Sequence, residues 1–386
     1  MKFAEFFAGV GLVREGLSRD DWSCVWANDI SEDKKSTYVE NYGDDHFVLG
    51  DIWDISQDLS SIPDDVFLYT ASFPCTDLSV AGNRSGLAGK QSGTLNAVLH
   101  ILDKKREAKQ EPKVVLLENV KGFLTSHKGT DAANTVKSFS ELGYYVDIIE
   151  LDAVMFTPQS RPRVFFVAVH HSIAKEVMIL KQKGTILDTW WATFDANPSL
   201  RSKAVKNIIS QNEDLNWGLI DIKAPKATGS VLADIIESNL PDEQHLWWSK
   251  DRKEHTYSQM SPAHQLKLQQ MCNNDHFSYG TVYRRMRKGL SMAELRTDGV
   301  AGCLRTPRGG SSKQILIRAG YGDWSVRLLT PREYARLQGV RDDFWLPENH
   351  NKGYFAMGDA VCVPVIEYIS ENIITPIFHH WEKSTA

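Results

Sequence analysis

The chain has 386 residues, of which 42% are hydrophobic and 24% are charged, and its formal net charge is −5. This composition is typical of a globular protein, and the length favours two domains with a sizeable core. No apolar stretch approaches membrane-spanning length, the N-terminus lacks a signal-peptide layout, and the five cysteines form no C-x-x-C pair. We therefore expect a cytoplasmic protein without a membrane anchor, a disulfide framework or a metal site.

Seven short apolar segments predict β-strands in the first part of the chain. They cover residues 2–7, 23–28, 46–51, 66–71, 113–118, 145–151 and 163–169. Segments between most of them have helical patterns; residues 94–109, for example, carry leucines and a valine at helical spacing. This alternation predicts an α/β fold with a doubly wound, mostly parallel sheet. The last two strands leave no room for a helix between them, so we expect an antiparallel hairpin there.

Residues suited to ligand binding follow five of these strands, at the edge where doubly wound sheets bind ligands. They are Gly9 and Gly11 after the first strand, Asp29 and Ile30 after the second, Asp51 and Ile52 after the third, Cys75 after the fourth and Glu118 after the fifth. Pro74 ends the fourth strand and stiffens the turn that carries Cys75. From this segment alone, Cys75 is either an inert buried thiol or a rigidly held nucleophile.

The glycine turn after the first strand indicates a nucleoside cofactor. It lacks the third glycine of the dinucleotide pattern, and the chain has no phosphate-loop lysine, so NAD and ATP fit poorly. S-adenosylmethionine fits better, with Asp29 at the ribose hydroxyls, Asp51 at the adenine amine and Phe7 against the ring. The alternative is that these glycines only close strand–helix turns.

The character of the sequence changes between Ser172 and Val326, where strand–helix alternation fades. Residues 279–327 hold ten Lys or Arg against three acids, a net charge of +7. Clustered positive charge indicates nucleic-acid binding, although a solvated charged face has the same composition. We predict a second, smaller domain of irregular α+β structure. Residues 365–373 then predict a helix that packs back onto the first domain.

Six motifs in order make the chain resemble the C5-cytosine DNA methyltransferases of prokaryotic restriction–modification systems. They are "FFAGVG" (6–11), "FPC" with Ser79 (73–79), "ENV" (118–120), "PQSRPR" (158–163), "LTPREYARLQGV" (329–340) and "GDAV" with Pro364 (358–364). The resemblance implies a methyltransferase fold and S-adenosylmethionine as cofactor, with Asp359 and Val361 joining the cofactor residues named above.

The resemblance also implies a mechanism. Cys75, placed by Pro74, attacks C6 of a cytosine while Glu118 contacts N3, and Arg161 and Arg163 hold the base and the active-site backbone. The base must leave the helical stack, because stacking blocks access to its faces. Residues 76–93 correspond to the family's mobile loop.

The implied domains are a catalytic domain of residues 1–171 and 353–386, a target-recognition domain of residues 172–325, and a connecting hinge of residues 326–352. The expected partner is double-stranded DNA, with a companion restriction endonuclease as a further partner, no membrane, and a monomeric state. The residues expected to contact DNA are Ser79, Arg284, Arg285, Arg287, Arg305, Arg308 and Lys313.

Four residues depart from the family pattern: Leu12, Ser72, Thr76 and Asp359 stand where many members have Gly, Gly, Gln and Asn. None of them removes a group that the chemistry needs. The RNA-acting branch of the family is an alternative, but it is compact between the arginine motif and "LTPRE". A silent DNA-binding regulator, a dehydrogenase and a cysteine hydrolase fit less well, given Cys75 with Glu118, the glycine pattern and the lack of a partner histidine.

Overall fold

A computed structural model describes residues 1–74, 92–181, 188–237, 240, 243–287, 289–306 and 313–385. The chain forms two compact units. The first contains Met1–Asp152, Pro162–Pro225 and Val365–Ala386, and the second contains Ala153–Arg161 and Lys226–Pro364. The units differ in extent from the domains expected from the sequence, whose functional assignment stays a prediction.

The first unit is built on a seven-stranded sheet. Its strands are β1 (Lys2–Phe6), β2 (Ser23–Asp29), β3 (Phe47–Leu49), β4 (Leu68–Ala71), β5 (Val114–Val120), β6 (Tyr144–Asp152) and β7 (Pro162–His170). Their spatial order is β3-β2-β1-β4-β5-β7-β6. The first five strands run parallel, and β7 is antiparallel to both of its neighbours. The predicted doubly wound sheet and its terminal hairpin are confirmed.

Helices cover this sheet. They are α1 (Leu12–Leu17), α2 (Glu32–Tyr42), α3 (Ile52–Ile55), α4 (Leu95–Glu107), α5 (Thr130–Glu141), α6 (His171–Val177), α7 (Asp188–Ala196) and α8 (Lys203–Gln211), with a small β8 (Ile179–Leu180) and β9 (Gly218–Leu219) ladder. The helical spacing predicted for residues 94–109 is seen in α4, where Leu95, Val98 and Leu102 are buried.

Residues 172–225 belong to the first unit because their aromatic and apolar side chains join its core. Trp190 and Trp217 are each 1% exposed and lie in the cluster that contains the sheet residues. Arg201 forms a buried ion pair with Asp147 of β6, and its Nε donates to Asp147 Oδ1 at 2.9 Å. A change of sequence character thus does not mark a domain boundary here, since tryptophan-rich segments also extend cores.

The second unit contains a four-stranded antiparallel sheet of order β11-β10-β12-β13. Val282, Ile317 and Val326 of the sheet share a buried cluster with two of the helices' residues, Leu268 and Met271. The elements are α9 (Leu232–Ile235), α10 (Glu243–Leu246), α11 (Lys250–Ser258), α12 (Pro262–Cys272), β10 (Ser278–Arg287), β11 (Leu290–Arg296), β12 (Ile315–Gly320), β13 (Asp323–Leu328), α13 (Pro331–Leu337) and α14 (His350–Asp359).

The "LTPRE" motif forms the start of α13. Thr330 caps the helix, accepting from the backbone N–H of Glu333 at 3.1 Å, and Glu333 accepts from the N–H of Thr330 at 2.8 Å. Pro331 occupies the first helical position, where no backbone donor is needed. Residues that the sequence placed in a hinge therefore form a capped helix within the second unit.

The chain ends in α15 (Val363–Ile369), a π-helical turn (Ser370–Ile374) and α16 (Thr375–Thr385). Trp22 Nε1 donates to Thr375 Oγ1 at 3.0 Å, and its ring lies edge-on to Phe378. The chain from Val365 onward thus packs within the first unit, whereas residues 353–364 belong to the second. Within the described residues, the helical stretch His350–Thr385, which comprises α14, α15 and α16, is long and apolar enough to cross a membrane by length and composition, contrary to the sequence expectation. Its most apolar window is 56% buried inside the protein, as in the core helix of a soluble protein.

Candidate active site

The turn from β1 to α1 runs through left-handed backbone. Phe7, Gly9 and Gly11 have φ values of 56°, 59° and 83°, and such values favour glycine. A Cβ on Gly11 would lie 2.6 Å from the Tyr42 ring. Gly11 is therefore required both by its backbone conformation and by the aromatic ring behind it.

Asp29 at the end of β2 orders this turn. Its Oδ2 accepts from the backbone N–H of Gly9 at 2.9 Å, and its Oδ1 accepts from Ser31 N–H at 2.9 Å. The carboxylate is 6% exposed. Each oxygen uses one of its two lone pairs in these bonds, so Asp29 retains acceptor capacity for a ligand.

Next to Asp29, side-chain hydrogen bonds of Asn28 join the end of β2 to the end of β3. Asn28 donates from Nδ2 to the carbonyls of Val48 and Gly50, both at 2.9 Å. Asp51 caps α3 by accepting from Trp53 N–H at 2.9 Å. Ile52, the first residue of α3, is buried, whereas Ile30 is 67% exposed. The structure thus brings together the predicted cofactor residues of the first three strands.

Glu5 is a buried acid that the sequence reasoning did not single out. It lies in β1 and is 1% exposed, and the backbone N–H groups of Val13 and Arg14 face its carboxylate. Burial raises the pKa of Glu5 to about 8, although the charge of Arg14 opposes this shift. The sequence feature that could have identified it is the position of an acid inside the apolar strand of residues 2–7.

Glu118 and Arg163 form an ion pair between β5 and β7, and Glu118 lies within β5, not after it as expected from the sequence. Arg163 Nε lies 2.9 Å from Glu118 Oε1, and both side chains are largely buried. In the β5–β7 ladder Arg163 is opposite Val120, two residues from Glu118, which places the two side chains diagonally on one face. The next residue, Asn119, donates from Nδ2 to the Phe73 carbonyl at 3.1 Å. The glutamate segment is thereby tied to the residue before Pro74.

Arg161 lies in the second unit and is 2% exposed. Its guanidinium donates to the carbonyls of Leu304 at 2.9 Å and Ala360 at 2.7 Å, and to Cys303 Sγ at 3.3 Å. These contacts join two segments of the second unit. The predicted contact of Arg161 with the base stays a prediction.

Asp359 and Val361 are also in the second unit, unlike the other predicted cofactor residues. Asp359 accepts a hydrogen bond from Thr306 Oγ1, and Val361 is 5% exposed. Thr306 belongs to the "LRTP" segment, so the aspartate that replaces the usual asparagine has a defined partner.

The predicted DNA-contact residues that the structure describes divide into two groups. Three of them have a polar side-chain partner, and two lie near aromatic rings. Arg285 and Arg287 both face Glu294, with Arg287 at 2.7 Å, and Lys313 donates to Asn351 Oδ1 at 2.7 Å. The second group consists of Arg284, whose guanidinium carbon lies 5.8 Å from the Trp248 ring centroid, and Arg305, which is exposed and lies 5.8 Å from Tyr283. Cys75, Ser79 and Arg308 lie outside the described residues.

The strand-end residues fit an adenosine-bearing cofactor. A Cβ on Gly9 would meet no described atom closer than Phe7 O at 4.0 Å, so the turn is open on that side. Ile30 and Trp53, 67% and 43% exposed, present apolar surface next to Asp29 and Asp51 in the chain. Carboxylate acceptors beside apolar surface match the ribose diol, the amine and the ring of adenosine.

The sheet, with its single antiparallel strand β7 between β5 and β6, and the strand-end acids define a methyltransferase fold. The model of the C-5 cytosine-specific DNA methylase family matches residues 1–375. The chain belongs to this family and is a DNA (cytosine-5)-methyltransferase.

Similar proteins include the Type II methyltransferase M.BanI of Aneurinibacillus aneurinilyticus, 26% identical over 97% of this chain and 95% of the relative. M.NlaX of Neisseria lactamica is 28% identical over 96% of both chains. Among solved structures, S. pombe Dnmt2 methyltransferase has a TM-score of 0.60 at 17% identity and covers 98% of this chain and 99% of its own. Entamoeba histolytica EhMeth has a TM-score of 0.60 at 15% identity, with 98% of both chains covered. At these identities the structures establish the fold alone.

Proposed function

We propose that this methyltransferase is sequence-specific and flips its target cytosine, with Cys75 as nucleophile and Glu118 as the group at N3. The observation that carries the proposal is the Glu118–Arg163 ion pair, joined through Asn119 to Phe73, two residues before Cys75. This link supports a fixed relation between the carboxyl group and Phe73, which precedes Cys75 by two residues in the sequence.

Cytosine C6 is a weak electrophile until N3 is protonated or hydrogen-bonded. Glu118, held by Arg163, is suited to that role, since a positioned acid lowers the barrier as negative charge develops on the ring. The Cys75 thiolate forms a bond to C6 while N3 gains a proton, which makes C5 nucleophilic. After C5 is methylated, loss of the C5 proton, expulsion of the thiolate and return of the N3 proton to Glu118 restore the neutral aromatic ring.

S-adenosylmethionine, when bound, supplies the electrophilic methyl group. Asp29 and Asp51 would hold its ribose hydroxyls and adenine amine, with Phe7, Ile30 and Ile52 around the ring. Gly9 and Gly11 would let the backbone approach it. Asp359 and Val361 are assigned to the same cofactor from the closing motif.

The second unit is assigned to target recognition. Its basic residues would contact phosphates and guanine edges of duplex DNA. We further propose that the enzyme is of the restriction–modification type, is cytoplasmic and monomeric, and shares its site with a companion endonuclease. The Type II names of its relatives support the first of these points.

The test is base-resolution mapping of 5-methylcytosine in cells without cytosine methylation of their own. Expression of the wild type should methylate one short motif, and Cys75→Ser should leave it unmethylated at equal soluble protein. Cys272→Ser is the matched control, because Cys272 is a thiol of the second unit that the proposal gives no role. Methylation by Cys75→Ser, or methylation of RNA alone by the wild type, would overturn the proposal.

A further inference from the structure

In the second unit, two neighbouring tryptophans, Trp247 and Trp248, each lie close to two arginines. Trp248 N–H donates to the Val326 carbonyl of β13 at 2.9 Å, which fixes the segment against the sheet edge. The guanidinium carbons of Arg318 and Arg327 lie 4.5 and 5.1 Å from the Trp247 ring centroid. Those of Arg252 and Arg284 lie 3.6 and 5.8 Å from the Trp248 ring centroid. All four lie within cation–π range.

The two pairs differ in how their charge is balanced. At Trp247, Arg327 forms a buried ion pair with Glu333, with nitrogen–oxygen distances of 2.6 and 2.7 Å. At Trp248, neither Arg252 nor Arg284 has a carboxylate within ion-pair distance in the described part of the chain. Within the described residues, two positive charges thus share one indole without a carboxylate partner.

The environment of the Trp248 pair has the marks of an anion site. Arg284 Nε is buried and meets no acceptor among the described residues. Burial, and then the positive charge of Arg284, hold the pKa of Arg252 below its usual range. Arg252 is solvent-exposed, so an anion can reach it. Like charges held together without a counter-charge are stabilised by an anionic ligand.

We infer that Arg252 and Arg284 form a binding site for backbone phosphates of duplex DNA, clamped by Trp248 and independent of the base sequence. This rests on the proposed function, which gives the second unit a DNA substrate. A guanidinium fork matches a phosphate in a bidentate manner. The guanidinium carbon of Arg252 lies 3.6 Å from the centroid of the Trp248 indole. Because the arginine occupies this face of the ring, the indole cannot stack on a base there, and the arginine contacts the DNA backbone instead.

The experiment measures binding of the full-length wild type, Arg252→Gln and Arg284→Gln to duplex DNA by fluorescence anisotropy across a salt series. Each variant should lower the slope of log affinity against log salt by about 0.9, since one phosphate contact releases about that many counterions. Duplexes with and without the methylated motif should lose affinity by the same factor.

Lys253→Gln is the matched control. It removes one charge from the next residue of α11, but Lys253 already pairs with Asp323 at 2.7 Å, so the slope should change little. Arg252→Lys and Arg284→Lys should keep the slope while weakening binding, which separates loss of charge from loss of fold. Equal melting temperatures of all variants provide the folding check.

Wild-type slopes in both glutamine variants, with methylation intact in the wild type, would overturn this inference and leave the proposed function standing. A change confined to the motif-bearing duplex would also overturn it, since that indicates base readout. If inorganic phosphate raises the melting temperature of the wild type alone while DNA slopes stay equal, the site binds a free anion and the DNA assignment fails. Absence of duplex binding by the wild type would overturn both proposals.

Discussion

Two acids of the first unit, Asp29 and Glu5, and two of the second, Glu294 and Glu333, are held in opposite ways. Asp29 accepts hydrogen bonds from backbone N–H groups, and the backbone N–H groups of Val13 and Arg14 face the buried Glu5. In the second unit, Glu294 and Glu333 face arginines. Acids without a cationic partner keep their capacity for a ligand or a proton, whereas paired acids cancel charge. The net charge of +7 over residues 279–327 therefore overstates the positive charge that would be available to a DNA phosphate.

The largest effect is expected at the one acid–arginine pair placed at the proposed reaction site. Glu118→Gln should lower the single-turnover methylation rate about 10²- to 10⁴-fold, the range for loss of a general acid, with cofactor affinity unchanged. Glu141→Gln, an exposed acid of α5, is the control. A rate within threefold of the wild type would remove Glu118 from the mechanism.

Glu333→Gln should destabilise the second unit by about 3–5 kcal/mol, because it leaves Arg327 buried without a counter-charge. The pair is 2% and 0% exposed. Urea unfolding measures the change. A loss below about 1 kcal/mol, the range of surface pairs, would mean that Arg327 finds another partner.

Glu5→Gln should raise the free energy of unfolding at neutral pH, whereas Glu333→Gln lowers it. The pKa of Glu5 is raised to about 8 by burial, so the folded protein binds this proton at pH values where the unfolded chain releases it. Stability due to Glu5 therefore falls as pH rises from about 4.5 to about 8, by roughly 1.4 kcal/mol per unit. The variant should gain stability over that window and none below pH 4. Equal pH profiles of unfolding free energy for both proteins would contradict a buried, protonated Glu5.

Gly11→Ala tests the cofactor turn against a matched glycine. Gly11 and Gly43 have φ values of 83° and 81°, but a Cβ on Gly43 would meet nothing within 4 Å. Both variants carry the backbone penalty of about 1 kcal/mol, and only Gly11→Ala displaces the Tyr42 ring. Calorimetry should show S-adenosylmethionine affinity reduced about tenfold or more in Gly11→Ala, a loss of roughly 1.4 kcal/mol, and unchanged in Gly43→Ala. Equal S-adenosylmethionine affinities of the two variants would show that the Tyr42 ring moves aside without disturbing the cofactor turn.

The smallest effect is expected for Glu294→Gln, which frees Arg285 and Arg287. Arg287 holds the pKa of Glu294 below its usual range, so the pair is charged at neutral pH. Duplex affinity should rise about two- to fivefold with a steeper salt slope, and stability should change by less than about 1 kcal/mol. Glu254→Gln adds the same charge on α11, where the pair with Lys250 spans 3.9 Å, and should have less effect. An unchanged slope would show that this hairpin does not meet DNA.

The sheet and its strand-end residues were predictable from the sequence because parallel strands deliver their carboxyl ends to one edge. Gly9, Asp29 and Asp51 meet there as the alternation of strands predicts. The partner of Glu118 was not predictable, since the diagonal contact with Arg163 depends on the β5–β7 register. The neutralisation of Arg287 depends likewise on the hairpin that brings Glu294 across from Tyr283. Composition counts charges but does not pair them.

The nine residues Ala153–Arg161, between β6 and β7, belong to the second unit although both flanking strands belong to the first. Gln159 donates to the Leu337 carbonyl and accepts from Leu304 N–H, so this loop is integral to the second unit. Arg161 and Arg163, two positions apart, thus belong to different units. Recombination that exchanged residues 226–364 between relatives would therefore give a well-packed second unit only where the resident loop matched the incoming residues. Shuffling of this unit is constrained by a short segment encoded far upstream of it.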